Sequence, residues 1–227
     1  MLSRLDTPSP WGGELHFKEC SLREIEKEIE TWVDGNDDTE GYFDKNRFFD
    51  YIKERFTIQK DGFYGWNGLK YVLYEYDYNL WEKSRNSEIK IDWVDFNKEK
   101  SDHISIEHIY PQASDQKCWN EFFGNHTVKE KFKLCNSLGN LLPLSQKKNS
   151  SLQNDCFSQK KQQKRGSVGY FNGSYSENEV AQKENWTPKE ILNRGLKILL
   201  FIEKRWGIDF GNNEEKKELL NIEFLKE

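Results

Sequence analysis

The sequence of 227 residues lacks the features that mark membrane, secreted and zinc-bound proteins. No apolar run approaches the roughly 20 residues that cross a bilayer, and the N-terminal residues contain no signal-peptide core. The four cysteines, Cys20, Cys118, Cys135 and Cys156, lie far apart without a CxxC pair. This spacing is unlike a zinc knuckle or a disulfide framework, and it predicts free thiols in a cytoplasmic protein. A Walker-type GxxxxGK[ST] motif is also missing, which argues against a P-loop.

What the chain does have predicts a folded α+β protein. Aromatic residues make up 15% of the sequence, more than a disordered chain would carry. Helical spacing of apolar residues predicts helices from Ser21, over 46–56, from about 66 to 84, and from a capping box at Thr187 to about residue 206. Two short strands are predicted at 101–109 and 140–145, with a partly helical excursion between them and a helix from Gln146. Residues 165–178 are rich in Gly, Ser and Asn and are interpreted as a loop.

The first candidate for chemistry is the pair Glu107 and His108 on the first predicted strand. Adjacent side chains of a regular strand point to opposite faces, so the two can share a site only where the strand ends or bulges. Pro111 supplies such an end three residues later. A carboxylate beside an imidazole offers a hard metal ligand and a general base for water. A Glu-His dipeptide alone is common, so this signal needs support from elsewhere in the chain.

That support comes from two asparagines in the second half of the motif. Asn140 opens the second strand, where its amide can bond the backbone of the excursion and brace the loop that orients His108. Asn149 follows on the next helix and offers an amide oxygen, a suitable ligand for a hard cation, opposite Glu107. A hairpin closed by a helix would bring these residues together.

In this order the residues resemble the HNH motif of the ββα-metal nucleases. The wider blocks IEHIYPQ at 106–112, LGNLL at 138–142, KNSSL at 148–152 and FSQK at 157–160, with the later Trp186 and Arg194, are similar to one branch. That branch is the C-terminal nuclease domain of GmrSD-type, modification-dependent (type IV) restriction enzymes. The first residue is Glu rather than the commoner Asp, and the last is Asn rather than His. Both choices are known within HNH nucleases.

The resemblance implies a mechanism and a division of the chain. It implies Mg²⁺, or alternatively Mn²⁺, held by Glu107 and Asn149, with His108 as general base and Asn140 in the catalytic motif. Hydrolysis of a DNA phosphodiester would leave a 5′ phosphate and a 3′ hydroxyl. The predicted parts of one compact domain are an arm at 1–20, a helical flank at 21–100, a ββα-metal core at 101–165, and a loop with a C-terminal helical flank at 166–227.

Charge is segregated along the chain. Residues 129–165 carry nine Lys and Arg against two acidic residues, a formal +7 in a chain that totals −5. A Lys-rich run is often only a solvated helix face, but this run surrounds the predicted site, and phosphate contacts dominate nucleic-acid affinity. The predicted DNA contacts are Lys147, Lys148, Lys160, Lys161, Lys164 and Arg165, of which Lys160 and Lys161 are favoured.

Recognition of the target is expected from another component. The acidic remainder predicts weak, salt-dependent DNA binding by this chain alone. The resemblance implies a separately encoded, NTP-binding ParB-like subunit in a bacterial anti-phage or restriction system, with this chain as a split nuclease subunit or an excised fragment. Two other functions stay open. One is a non-catalytic nucleic-acid-binding module on a degenerate HNH scaffold, and the other is an RNase or toxin that uses the same site.

Overall fold

The computed structural model describes residues 45–84, 104–162 and 169–225. In these ranges the fold is α+β and mainly helical, with one two-stranded antiparallel sheet. The helices and strands in chain order are α1 (Lys45–Glu54), α2 (Leu69–Ser84), β1 (Ile104–His108), α3 (Lys117–Phe123), α4 (Val128–Asn136), β2 (Leu141–Ser145), α5 (Gln146–Leu152), α6 (Phe157–Lys161), α7 (Tyr175–Ala181), α8 (Pro188–Trp206) and α9 (Asn213–Leu219). None of these helices is long and apolar enough to cross a membrane.

The sheet is a hairpin whose two strands are joined by a long excursion. β1 and β2 pair in continuous antiparallel register, from Ile104 opposite Ser145 to His108 opposite Leu141. The excursion contains α3 and α4, and α4 begins with a full capping box between Thr127 and Glu130. α5 follows β2 directly, because the Ser145 side chain caps its first turn by accepting from the Lys148 amide. The hairpin and the helix after it therefore form one continuous unit.

α8 holds the start of β2 in place. It begins at a Thr187 cap, carries Pro188 in its first turn, and ends at Gly207 in the left-handed conformation (φ 70°). Its backbone packs so closely on Gly139 that a Cβ there would lie 1.9 Å from the Ile191 carbonyl oxygen. The Arg194 guanidinium donates to the carbonyls on both sides of the site asparagine, at 2.9 Å to residue 139 and 2.8 Å to residue 141.

Most of the predicted elements are confirmed, and the main difference lies in the loop prediction. The helices over 46–56 and 66–84, both strands, the α5 segment and the helix after Thr187 all form within a few residues of the expected bounds. The predicted loop at 165–178 is wrong in part, because Ser174 and Glu177 form a capping box that starts α7. The predicted arm, the helix from Ser21 and residues 85–103 lie outside the described residues.

The prediction of free thiols is also wrong for two of the cysteines. Cys118 on α3 and Cys156 before α6 form a disulfide across a sequence separation of 38. Spacing could not reveal this pair, since the excursion folds back onto the segment after α5. Cys135 is a buried free thiol whose pKa burial raises to about 12. Cys20 lies outside the described residues.

Candidate active site

β1 carries both Glu107 and His108, and it remains a regular strand through both. Glu107 pairs with Leu142 and His108 with Leu141, which is the last pair of the ladder. Alternation along a strand then directs the two side chains to opposite faces. The strand ends at His108, but this end does not bring the two side chains to a common site. The contacts of the His108 ring and those of the Glu107 carboxylate involve different side chains, which agrees with this arrangement.

His108 lies against an aromatic ring and an amide. Its ring centroid is 4.6 Å from that of Tyr64, and its Nε2 is 3.4 Å from Oδ1 of Asn136. The Asn136 amide orientation is fixed because its Nδ2 donates to the Phe132 carbonyl at 3.1 Å. With Oδ1 facing the ring, Nε2 carries the proton and the lone pair of the neutral imidazole lies on Nδ1. Burial lowers the pKa of His108 to about 4, although the hydrogen bond to Asn136 opposes this effect, so the ring is neutral at pH 7.

Glu107 occupies the opposite side of the strand in a buried polar cluster. Its carboxylate forms an ion pair with the ammonium of Lys160, a side chain with 0% exposure, and accepts a hydrogen bond from the Tyr170 hydroxyl at 3.3 Å. The same ammonium donates to the carbonyls of His108 (3.1 Å) and Ile109 (3.2 Å). Burial raises the pKa of Glu107, and the attraction of Lys160 opposes this effect. Lys160 therefore links Glu107 to the end of β1.

Asn140 braces the chain that follows His108, as the sequence predicts. Its side chain is fully buried and makes four hydrogen bonds. Oδ1 accepts from the Tyr110 amide (2.8 Å) and the Trp186 indole (3.0 Å), while Nδ2 donates to the carbonyls of Tyr110 (2.9 Å) and Cys135 (2.8 Å). The Ile109 amide also donates to the Asn140 carbonyl at 3.0 Å. All the hydrogen-bonding capacity of this amide is thus used, and it ties the backbone at Tyr110 to the end of α4 and to Trp186.

Asn149 on α5 faces β1, but through its amide nitrogen. Nδ2 donates to the Ser105 hydroxyl at 2.8 Å and to the Ile106 carbonyl at 3.3 Å. Its Oδ1 accepts no hydrogen bond from the described residues, so a ligand atom is available on this half-buried side chain.

The predicted metal ligands do not converge on an open cation position in this arrangement. A cation is already present beside Glu107, since the Lys160 ammonium binds its carboxylate and two carbonyl oxygens. His108 faces the other side of the strand. No group of three or more His, Cys, Asp or Glu side chains that could hold a metal ion occurs within 45–84, 104–162 and 169–225. A divalent ion at Glu107 would require displacement of the ammonium.

The predicted phosphate-binding lysines are largely engaged inside the molecule. Lys160 has no exposed surface, so its expected contact with DNA is wrong for this structure. Lys148 pairs with buried Glu177, and Lys161 donates to the carbonyls of residues 183 (2.8 Å) and 184 (3.2 Å). Lys147 is exposed on α5. Lys164 and Arg165 lie outside the described residues.

Comparison with known proteins adds a family to this geometry. The family model described as the C-terminal domain of GmrSD restriction endonucleases matches residues 48–199, more than half of the chain. The chain belongs to this family. No curated protein and no solved structure gives a match. The resemblance seen in the sequence is confirmed, and the chain carries a restriction-endonuclease type of nuclease domain.

The matched region of this GmrSD-family chain includes contacts that the sequence did not predict. Tyr64, Asn136 and Tyr170 touch the two site residues of β1 from three separate elements. A lone Tyr or Asn outside a motif carries no signal of such proximity. Lys160 belongs to the FSQK block at 157–160, but the surrounding Lys-rich sequence favours a surface position.

Proposed function

We propose that this GmrSD-family domain is an HNH endonuclease that hydrolyses DNA phosphodiester bonds with His108 as general base. The observation that supports it best is the state of His108. The ring is neutral at pH 7, its tautomer is set by Asn136, and the chain after it is braced by three hydrogen bonds to Asn140, two that involve the Tyr110 backbone and one from the Ile109 amide. A general base needs this combination of a free lone pair and a fixed orientation.

In the proposed reaction, Nδ1 of His108 takes a proton from water as the water oxygen attacks phosphorus in line. The bond from phosphorus to the 3′ oxygen breaks, and solvent protonates the departing oxygen, which leaves a 5′ phosphate and a 3′ hydroxyl. A pKa of about 4 makes the resting imidazole a weak base. An anionic phosphate beside the ring would raise that pKa and strengthen the base when substrate is bound.

Dependence on Mg²⁺ or Mn²⁺ is a separate part of the proposal, together with the ββα-metal assignment of β1, β2 and α5. It is supported by the motif itself and by Oδ1 of Asn149 on α5, which accepts no hydrogen bond from the part of the chain that the structure describes. Such an ion would supply charge stabilisation at the phosphoryl oxygens. For Glu107 to be a ligand, the ammonium of Lys160 must leave the carboxylate.

Two further parts rest on the resemblance alone. They are a role in bacterial anti-phage restriction and control by a separately encoded NTP-binding, ParB-like subunit. One observation favours the alternative of a non-catalytic nucleic-acid-binding module, because a buried ammonium pairs with the carboxylate that the motif assigns to the metal. An RNase would use the same His108, so the test includes RNA.

The test incubates the purified chain with plasmid DNA and with structured RNA, in Mg²⁺, Mn²⁺ or EDTA. We expect nicking of plasmid that requires a divalent ion and is lost in His108→Ala. The matched control is His126→Ala, since His126 is a partly exposed histidine on the excursion. Cleavage by His108→Ala at the wild-type rate would refute the assignment of the base. Cleavage of RNA but not of DNA would establish the RNase. If neither is cleaved, with or without a partner subunit, the chain is the non-catalytic binding module.

A further inference from the structure

A groove lies on the face of the hairpin toward which His108 points. It has a volume of about 710 Å³, within the range of sites that bind small molecules or a nucleotide. Tyr64 and Asn136, which contact the His108 ring, line this groove, and so do Lys60 and Lys131. The groove is therefore next to the proposed base, and neither Glu107 nor Lys160 lines it.

Tyr64 offers an exposed aromatic surface at this position. One side of its ring lies on His108, while 44% of the residue remains exposed. Nucleic-acid bases stack on such rings without regard to sequence, because every base has a flat π-face. A base stacked on Tyr64 would bring its flanking phosphate close to the imidazole.

The charges lining the groove favour a phosphate backbone. Lys60 and Lys131 have no ion-pair partner among the described residues. Asp61 faces the same groove, but Arg55 neutralises it with two hydrogen bonds of 3.1 and 2.8 Å. This leaves Asp115 as the opposing carboxylate. By contrast, Lys148, Lys160 and Lys161 of the predicted basic run are engaged internally.

We propose that this groove binds one unstacked nucleotide of the substrate strand, with its base on Tyr64 and its adjoining phosphates near Lys60 and Lys131. The inference rests on the proposed function, which it deepens by assigning the strand to the His108 face. The α5 surface with Lys147 is the competing path for the strand.

The experiment measures binding of a fluorescent single-stranded oligonucleotide by anisotropy in EDTA, with the oligonucleotide checked on a gel. We expect Tyr64→Leu to weaken binding by about 5- to 150-fold, the range for one base stacked on an aromatic ring. Tyr64→Phe keeps the ring and should bind within about twofold of wild type. The double variant Lys60→Met/Lys131→Met should reduce the salt slope of log K by about 1.4, for two phosphate contacts to a single strand.

Lys147→Met tests the competing path on α5, since it removes an exposed lysine there, and with the strand in the groove it should change affinity by less than about twofold. Unchanged binding by Tyr64→Leu together with weaker binding by Lys147→Met would place the strand on α5 and overturn the proposal. Absence of oligonucleotide binding by the wild-type chain would overturn it as well. If binding depends on the groove residues but the wild-type chain cleaves nothing, the nuclease function is refuted and the groove proposal stands. If the groove variants cleave at the wild-type rate, the groove proposal is refuted and the nuclease function stands.

Discussion

The buried ammonium of Lys160 gives a sharp test of the forces around the site. We expect Lys160→Met to lower the free energy of unfolding by about 3–5 kcal/mol, because it leaves the Glu107 carboxylate buried without its counter-charge. The side chain has no exposed surface, so methionine fills the space and the loss is electrostatic. Two carbonyls, those of residues 108 and 109, lose their donor in the same step.

Protonation of Glu107 limits this penalty and gives it a pH dependence. The pKa of Glu107 is already raised by burial, and removal of Lys160 raises it further. Protonation of the carboxylate costs about 1.4 kcal/mol for each pH unit by which the pKa of Glu107 lies below the pH of the experiment. The deficit of Lys160→Met relative to wild type should therefore shrink as pH falls from 7.5 to 5.

Urea unfolding of four proteins completes the test. Glu107→Gln/Lys160→Met should be more stable than Lys160→Met by at least about 2 kcal/mol, because a neutral amide needs no counter-charge and still accepts from Tyr170. Lys161→Met is the matched control from the same helix. Its ammonium donates to two backbone carbonyls but pairs with no buried carboxylate of the described residues, so we expect a loss of about 1 kcal/mol. Equal losses at 160 and 161, or no recovery in the double variant, would refute the reasoning.

Two other predictions concern stability. The pKa of His108 falls from 6.5 to about 4 on folding, so between these pH values the unfolded chain binds a proton that the folded chain does not. The free energy of unfolding should therefore drop as pH falls through this window, by about 3 kcal/mol in all. Urea unfolding at pH 7.5 and 4.5 should show this drop in wild type and not in His108→Gln, and the same pH dependence in both proteins would contradict the prediction. Replacing Cys118 and Cys156 together by Ser should lower the free energy of unfolding by about 4 kcal/mol, the value for a closed loop with a sequence separation of 38. Peptide mapping of the wild-type protein without reductant should recover the two cysteines in one disulfide-linked pair of peptides. Recovery of two separate peptides with free thiols would refute the disulfide.

The order of the elements around the site follows from local signals in the sequence. Thr187 with Pro188 marks the start of α8, and the change from helical to β-branched patterns marks the hairpin. Asn140 could be assigned a bracing role because a buried amide at that point has backbone groups on both sides to satisfy.

The partners of Glu107 and His108 could not be predicted in the same way. Lys160 is 53 positions from Glu107, on a five-residue helix whose neighbours are polar. Composition favours exposure for such a lysine, and only the tertiary arrangement supplies the carboxylate that makes its burial possible. Asn136 likewise reaches His108 only because α4 folds back over the hairpin.

The tight packing of α8 on Gly139 has a consequence for how small this nuclease could be made. The glycine has no room for a methyl group, the next residue holds the loop after His108, and Trp186 and Arg194 bind the same three-residue stretch from outside the hairpin. A fragment cut after α5 would keep every residue of the motif and lose the supports that hold Asn140 in position. The smallest functional unit therefore extends through α8, well beyond the last motif residue.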